Sequence, residues 1–173
     1  MKYNFCYKEI GKLKNETLSE LREYALAAQY KKNAGHFHKE ILKTYPIQLD
    51  DPIIELVKNE LNSLVDKTLL KKAMINILPP SMHIPEHSDV GPKSFNTDDL
   101  TIHKIHIPII TNTYCCHTWN GDTLAGDVCA KHMEEGKIYL FNNVTLHGAT
   151  NASPTDSRYH LIMRYCAEAI NVS

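Results

Sequence analysis

His87 and Asp89, in the octet Met82-His83-Ile84-Pro85-Glu86-His87-Ser88-Asp89, are the residues whose types and spacing say most about chemistry. On an extended strand alternate side chains share a face, so this imidazole and carboxylate point the same way. With a second histidine brought from elsewhere they form a facial set of three ligands, an arrangement that suits a non-haem ferrous ion. The candidate is His147, in Val144-Thr145-Leu146-His147-Gly148. Further on, Arg158 opens the last apolar run, where a guanidinium can pair bidentately with the carboxylate of a small cosubstrate. An isolated H-x-D triplet means little in a chain with ten histidines. Its context carries it: the triplet ends an extended run and precedes a Gly-Pro loop, which would leave the ligands at the rim of a barrel.

The elements that must position these residues fall into two parts. Asn15 or Thr17 can cap a first helix that runs to about Tyr30, with Leu18, Leu21, Ala25 and Ala28 at helical spacing. Asp50 or Asp51 caps a second, with Pro52 in its first turn and an apolar stripe of Ile53, Leu56, Val57, Leu61 and Leu64; it ends near Asp66-Lys67. Both are expected to pack on the outside of a sheet. Between them the stretch from Lys31 to Gln48 has no clear period, and Tyr45-Pro46 marks a break.

After Lys72 the chain turns to short extended runs divided by turn residues. These are Met74–Leu78, Met82–Asp89, Leu100–Ile110, Tyr114–Trp119, Gly126–Lys131, Lys137–Asn142 and Arg158–Ala167, with turns at Pro79-Pro80-Ser81 and Glu134-Glu135-Gly136. Such a series indicates an all-β sandwich or barrel. On the Leu100–Ile110 run Ile105, Ile107 and Ile109 share one face while Lys104 and His106 share the other. On the last run Arg158 and His160 lie opposite Tyr159, Leu161 and Met163. A strand that lines a site requires this division.

A chain of 173 residues is read as one domain, residues 1–173. Hydrophobic residues at 43% and charged residues at 23% are ordinary globular values. A net charge of −1 argues against a large basic surface for nucleic acid. The five cysteines include no C-x-x-C pair and are read as reduced thiols of a cytoplasmic protein. No signal peptide and no membrane-spanning apolar run is expected.

From about Lys72 to Tyr165 the sequence resembles the aspartyl/asparaginyl β-hydroxylase family of Fe(II)/2-oxoglutarate-dependent oxygenases. Four separated pieces carry the likeness: Pro79 to Asp89, Lys104 to Ile109, Glu134 to Asn143 with His147, and Asn151-Ala152-Ser153 with Arg158 to Ile162. The resemblance implies a double-stranded β-helix (a cupin-like jelly roll) over about 72–168, preceded by a helical part over about 13–70. It implies His87, Asp89 and His147 as ligands of Fe(II). It also implies Arg158 as the clamp on the distal carboxylate of 2-oxoglutarate, His106 near the other carboxylate, and Asn76 as a small polar partner on the preceding strand. The implied reaction consumes O2, turns 2-oxoglutarate into succinate and CO2, and hydroxylates a C–H bond of an amino acid, peptide side chain or related small molecule. Retention of Asp89 disfavours halogenation, which needs the position that the carboxylate fills. Lys104 stands where an arginine is common, losing the bidentate fork.

Two other classes share parts of this pattern. A non-catalytic cupin-like protein could bind metal or a small ligand with the same residues, but it has no need of Arg158. A zinc hydrolase would need a general base, for which only Glu86 stands nearby. His83, which with Glu86 could suggest another metal set, is read as a strand residue with a structural hydrogen bond; His103, His117 and His132 have no partner at ligand spacing and are read as ordinary. His36 and His38 are read as loop histidines at the surface or substrate rim, and Trp119 as a packing residue. The loops Gly91–Leu100, Asn112–Lys131 and Asn33–Leu49 should set the substrate. The sequence leaves the oligomeric state open.

Overall fold

β11 (Arg158–Cys166) lies at the centre of the larger of two sheets, paired antiparallel to β4 (Leu70–Leu78) on one side and β6 (Ile102–Ile110) on the other. The computed structural model describes residues 7–28, 31–32, 41–61, 63–89, 102–120, 128–142 and 145–166. The remaining strands of this sheet are β9 (Lys137–Asn142) and β1 (Tyr7–Lys12) beyond β6, and β3 (Lys43–Ile47) and β2 (Lys31–Lys32) beyond β4. The smaller sheet has the order β5 (Met82–His87), β10 (His147–Asn151), β7 (Cys115–Asn120), β8 (Val128–Lys131). Two antiparallel sheets with these crossovers make the jelly-roll core that the strand pattern and the resemblance both imply.

The two helices cover the outer face of the larger sheet. α1 (Asn15–Ala27) and α2 (Pro52–Leu61) bury Leu21, Ala25, Ile54, Val57 and Leu61 in one cluster with Ile75, Ile105, Ile107, Ile109, Leu161 and Met163. This is the alternation expected for β6 and β11, and it fixes the meaning of their two faces. The apolar face meets the helices, and Lys104, His106, Arg158 and His160 are left for the space between the sheets. Burying a large aliphatic side chain contributes roughly 1.5–3 kcal/mol, so the largest apolar contribution lies outside the barrel. β9 is buried on both faces, with Ile138 and Leu140 in the helical cluster and Tyr139 and Phe141 packed with Trp119 and Met133 on the inside. Trp119 is thus a packing residue, as expected.

Several boundaries differ from the sequence reading. The residue before α1 is Lys14, whose side chain makes no cap. Glu60 of α2 supplies the cap instead, accepting from the Lys14 amide at 2.8 Å and from the Thr17 hydroxyl. A cap from another helix leaves no local signature. Asp51 does cap α2, accepting from the Ile53 amide at 3.1 Å. That helix ends at Leu61, and a short 3-10 turn follows at Lys67–Leu69, capped by Asp66. The N-terminal part is not purely helical: β1 pairs with β9, and β3 pairs with β4 through Tyr45-Pro46, the dipeptide read as a break. Pro46 is tolerated where the strand meets solvent. His147 lies on a strand of its own rather than ahead of one. His36, His38 and the loop from Gly91 to Leu100 lie outside the described residues, as do parts of the other two loops. Among the described residues no helix is long and apolar enough to cross a membrane. Cys115 and Cys116 are free thiols.

Asn151, fully buried at the end of β10, ties the two sheets together. Its amide nitrogen lies 3.0 Å from the carbonyls of Leu78 and Pro79 and 2.7 Å from that of Asp156. Its oxygen accepts from the Ser153 amide at 3.2 Å and the Cys115 thiol at 3.2 Å. One side chain thereby holds the end of β4, the turn into β5 and the loop into β11. Ser81, at the tip of that turn, has a left-handed φ of 56°, and its amide donates to Ser153 O at 2.9 Å. Removing a buried hydrogen-bonding hub strands several partners at about 1–3 kcal/mol each. Asn151→Ala is expected to lower the unfolding free energy by about 3 kcal/mol or more, read by urea denaturation, while Asn112→Ala on the same network costs under about 1 kcal/mol.

Candidate active site

β5 and β10 run antiparallel with His147 directly opposite His87. Directly opposed residues share a face of the sheet, and the two rings lie with centroids 4.5 Å apart. The residue after His147 must be small. A Cβ on Gly148 would meet the Ile84 carbonyl oxygen at 2.9 Å and the Thr118 hydroxyl at 3.0 Å, because β10 is flanked closely by β5 and β7. β5 ends at His87, and Asp89 reaches the same place from the bend that follows. Its side chain is 23% exposed although its backbone faces solvent.

The donor chemistry of these three residues fits a cation. His87 Nδ1 lies 2.8 Å from the Pro85 carbonyl, and His147 Nδ1 lies 2.8 Å from the Thr145 carbonyl. A carbonyl only accepts, so each Nδ1 carries its hydrogen and each Nε2 of the neutral ring is left with a lone pair. These Nε2 atoms face Asp89, at 3.7 Å from Oδ1 for His87 and 3.2 Å from Oδ2 for His147. Lone pairs turned toward a carboxylate repel unless a proton or metal ion lies among them. The three ligand atoms fall within 4.8 Å of one another. Backbone carbonyls that fix the far nitrogen are the usual support of a histidine ligand. Burial works to raise the Asp89 carboxyl, but the hydrogen bond and charge of His147, when that ring carries a proton on both nitrogens, and the Lys104 charge outweigh it and hold Asp89 well below the usual carboxylate range. Lys104 Nζ reaches Asp89 Oδ2 at 2.5 Å.

Beside this set lies a cavity of about 170 Å³ between the sheets. Asn76, Lys104, His106 and Arg158 from the larger sheet line it, with His117 and His147 from the smaller. His87 and Asp89 complete the lining, so the structure brings the six sequence-selected residues, His87, Asp89, His147, Arg158, His106 and Asn76, to one place. Asn76 Oδ1 accepts from the Thr44 hydroxyl at 2.9 Å, and the His106 ring stacks on Phe141 with centroids 4.1 Å apart. Arg158 is 4% exposed, and among the described residues no carboxylate pairs with it. Burial pushes its guanidinium down to about 10, so it remains charged at neutral pH. A buried cation without a counter-ion is costly and is relieved by an anion. Glu86, the one base considered for a zinc hydrolase, is exposed.

Two further histidines belong to this region: His117, passed over in the sequence, and His160, read there only as sharing the face of Arg158. His117 and His160 are buried, and with His106 their ring nitrogens come within 4.8 Å of one another. His117 has no neighbour at ligand spacing, which is why it was read as ordinary. The available signal was parity, since Cys115, His117 and Trp119 share the inward face of β7. This second trio is set against a cation: Arg158 Nη1 donates to His117 Nε2 at 3.0 Å.

A jelly roll with such a donor set and a buried arginine across a small cavity defines the class of 2-oxoglutarate-dependent oxygenases. Solved structures share the fold at low identity. The non-haem α-ketoglutarate-dependent epimerase SnoN of nogalamycin biosynthesis aligns with a TM-score of 0.73 and 12% identity, over 94% of this chain and 78% of that one. HygX from Streptomyces hygroscopicus, solved with nickel and 2-oxoglutarate bound, gives 0.72 and 9%, over 95% and 84%. A prolyl-4-hydroxylase from Pseudomonas putida gives 0.70 and 10%, over 97% and 95%. No curated protein matches the sequence significantly. The model of the aspartyl/asparaginyl β-hydroxylase family matches residues 11–167, and the chain belongs to that family. It is accordingly a 2-oxoglutarate-dependent oxygenase, with Fe(II) as its metal cofactor and 2-oxoglutarate and O2 as cosubstrates.

Burial lowers His106, His117 and His160 well below the ordinary histidine value, aided by the charge of Arg158. The folded state thus keeps them neutral while the unfolded chain protonates them near pH 6.5. Stability is complete above that value and falls as pH drops through it, by up to about 1.4 kcal/mol per pH unit for each histidine. Urea denaturation of the metal-free chain at pH 7.5 and 5.5 is expected to show this loss, reduced in His160→Gln.

Proposed function

We propose that His87, Asp89 and His147 hold Fe(II), that Arg158, His106 and Asn76 seat 2-oxoglutarate, and that the enzyme hydroxylates a C–H bond of a small molecule. The observation that carries this reading is the pair of lone-pair-bearing Nε2 atoms converging on Asp89, beside an arginine that no carboxylate among the described residues pairs with.

The bound iron and cosubstrate supply the oxidising chemistry, in which O2 and 2-oxoglutarate yield succinate, CO2 and a hydroxylated product. The protein's residues position and exclude. Arg158 fixes the far carboxylate of the diacid through charge-assisted hydrogen bonds. His106 offers a neutral ring beside the near carboxylate, held flat against Phe141. Lys104 holds Asp89 by one oxygen and keeps the carboxylate turned to the histidines. Neither helix adds a docking surface at the cavity, which lies on the opposite face of the larger sheet. This supports a free amino acid or another compact molecule as substrate. SnoN has been solved with nogalamycin RO and HygX with hygromycin B, so proteins of related fold take small molecules. Asp89 fills the place a halide would need, which favours hydroxylation.

Anaerobic addition of Fe(II) and then 2-oxoglutarate is expected to produce a visible charge-transfer band only when both are present. The band should be absent in His147→Ala, and Arg158→Gln should need about 100-fold more 2-oxoglutarate, the effect of losing roughly 3 kcal/mol of charged hydrogen bonding. No band from folded, iron-loaded wild type would sink the proposal. Succinate release that rises with one of a panel of amino acids, together with a product heavier by one oxygen, would identify the substrate.

A further inference from the structure

We propose that His117 is a positioning residue for the cosubstrate, holding the Arg158 guanidinium in the one orientation that presents its free donors to a distal carboxylate. The inference rests on the reading that Arg158 takes that carboxylate, and it assigns a role to a histidine that the family resemblance leaves unassigned. Arginine recognises a carboxylate through a planar fork, so the plane of the guanidinium must be fixed before binding if affinity is not to be lost to ordering. Among the described residues no acidic side chain fixes it. Arg158 Nη1 donates to His117 Nε2 at 3.0 Å, and both side chains are 4% exposed.

The acceptor role determines the tautomer. Nε2 can accept only when the ring hydrogen sits on Nδ1, and Nδ1 is buried without a hydrogen-bond partner. The ring is held by its neighbours, stacked on His160 at 5.4 Å and 24° and on Trp119 at 5.8 Å and 23°. His106 closes a third side edge-on at 5.8 Å and 82°. The guanidinium therefore leans on a rigid, uncharged wall. A carboxylate in place of His117 would orient the arginine equally well but would neutralise it, and the cosubstrate would then compete with an internal anion. A neutral imidazole orients without neutralising. The same geometry argues against the three histidines as a second metal site: His117 Nε2 is already committed to a cation, and a divalent ion would lie against Arg158, which no carboxylate among the described residues pairs with.

The test compares two 2-oxoacids on the Fe(II)-loaded full chain without oxygen, using the visible band as readout. 2-Oxoglutarate carries the distal carboxylate; 2-oxobutyrate keeps the chelating end and lacks it. His117→Leu is expected to weaken 2-oxoglutarate at least tenfold and 2-oxobutyrate less than twofold. His117→Gln, whose amide oxygen can accept from the guanidinium, should restore 2-oxoglutarate to within threefold of wild type. Equal weakening of both acids by His117→Leu, or no weakening of either, would overturn the proposal. Arg158→Gln separates the two ideas: if it binds 2-oxoglutarate like wild type, the arginine reading itself fails. If it is weakened while His117→Leu is not, only the role of His117 fails. Histidine 15N spectra of the metal-free wild type need no folded variant. They should show His117 as the Nδ1–H tautomer, and an Nε2–H tautomer would overturn the proposal because it cannot accept from Arg158.

Discussion

The antiparallel pairing of β5 with β10, with His87 opposite His147, is the constraint on which the site depends. A slip of one residue in β5 against β10 would turn the His87 ring to the opposite face from His147. The register is held from both ends. At the His147 end, Gly148 lets the strands approach more closely than any side chain would allow. At the other end, Asn151 fastens β10 to the β4–β5 turn and to the loop before Arg158. Each ring is then aimed locally, by a carbonyl two residues earlier in the chain. Long-range pairing brings the histidines together, and short-range hydrogen bonds set which nitrogen faces inward.

Hydrophobic stabilisation and chemistry occupy opposite faces of the same strands. β6 and β11 present isoleucine, leucine and methionine to the helices and histidine, lysine and arginine to the space between the sheets. The barrel interior is consequently free to be polar. Aromatic rings supply much of the packing there: Trp119, Tyr139 and Phe141 form the inner cluster, and buried histidines continue it toward Arg158. The helices are thus essential to the site without touching it, since they bury the face that makes the sheet stable.

Much of this was legible in the sequence, for identifiable reasons. Strand parity on Leu100–Ile110 and Arg158–Ala167 separates core from site because strands alternate strictly, and the structure keeps that alternation. His87, Asp89, His147, Arg158, His106 and Asn76 were legible from motif order, and they meet at one cavity. What escaped depended on contacts distant in the chain. The cap on α1 comes from Glu60, and the strand through Tyr45-Pro46 exists because β4 offers it an edge. His117 escaped because its partner is Arg158, a residue far along the chain with which it shares no spacing rule.

The division of labour between the two sheets has a mechanical consequence. His87 and His147 belong to the smaller sheet, Arg158 to the larger, and the cavity lies between them. A diacid gripped at both ends would act as a strut across the two layers, shortening or lengthening with neither. Its length sets a gauge for the separation of the sheets, and a cosubstrate one methylene shorter would ask the layers to move. Selection for five carbons would in this sense be a property of the stiffness of the sandwich as well as of its side chains.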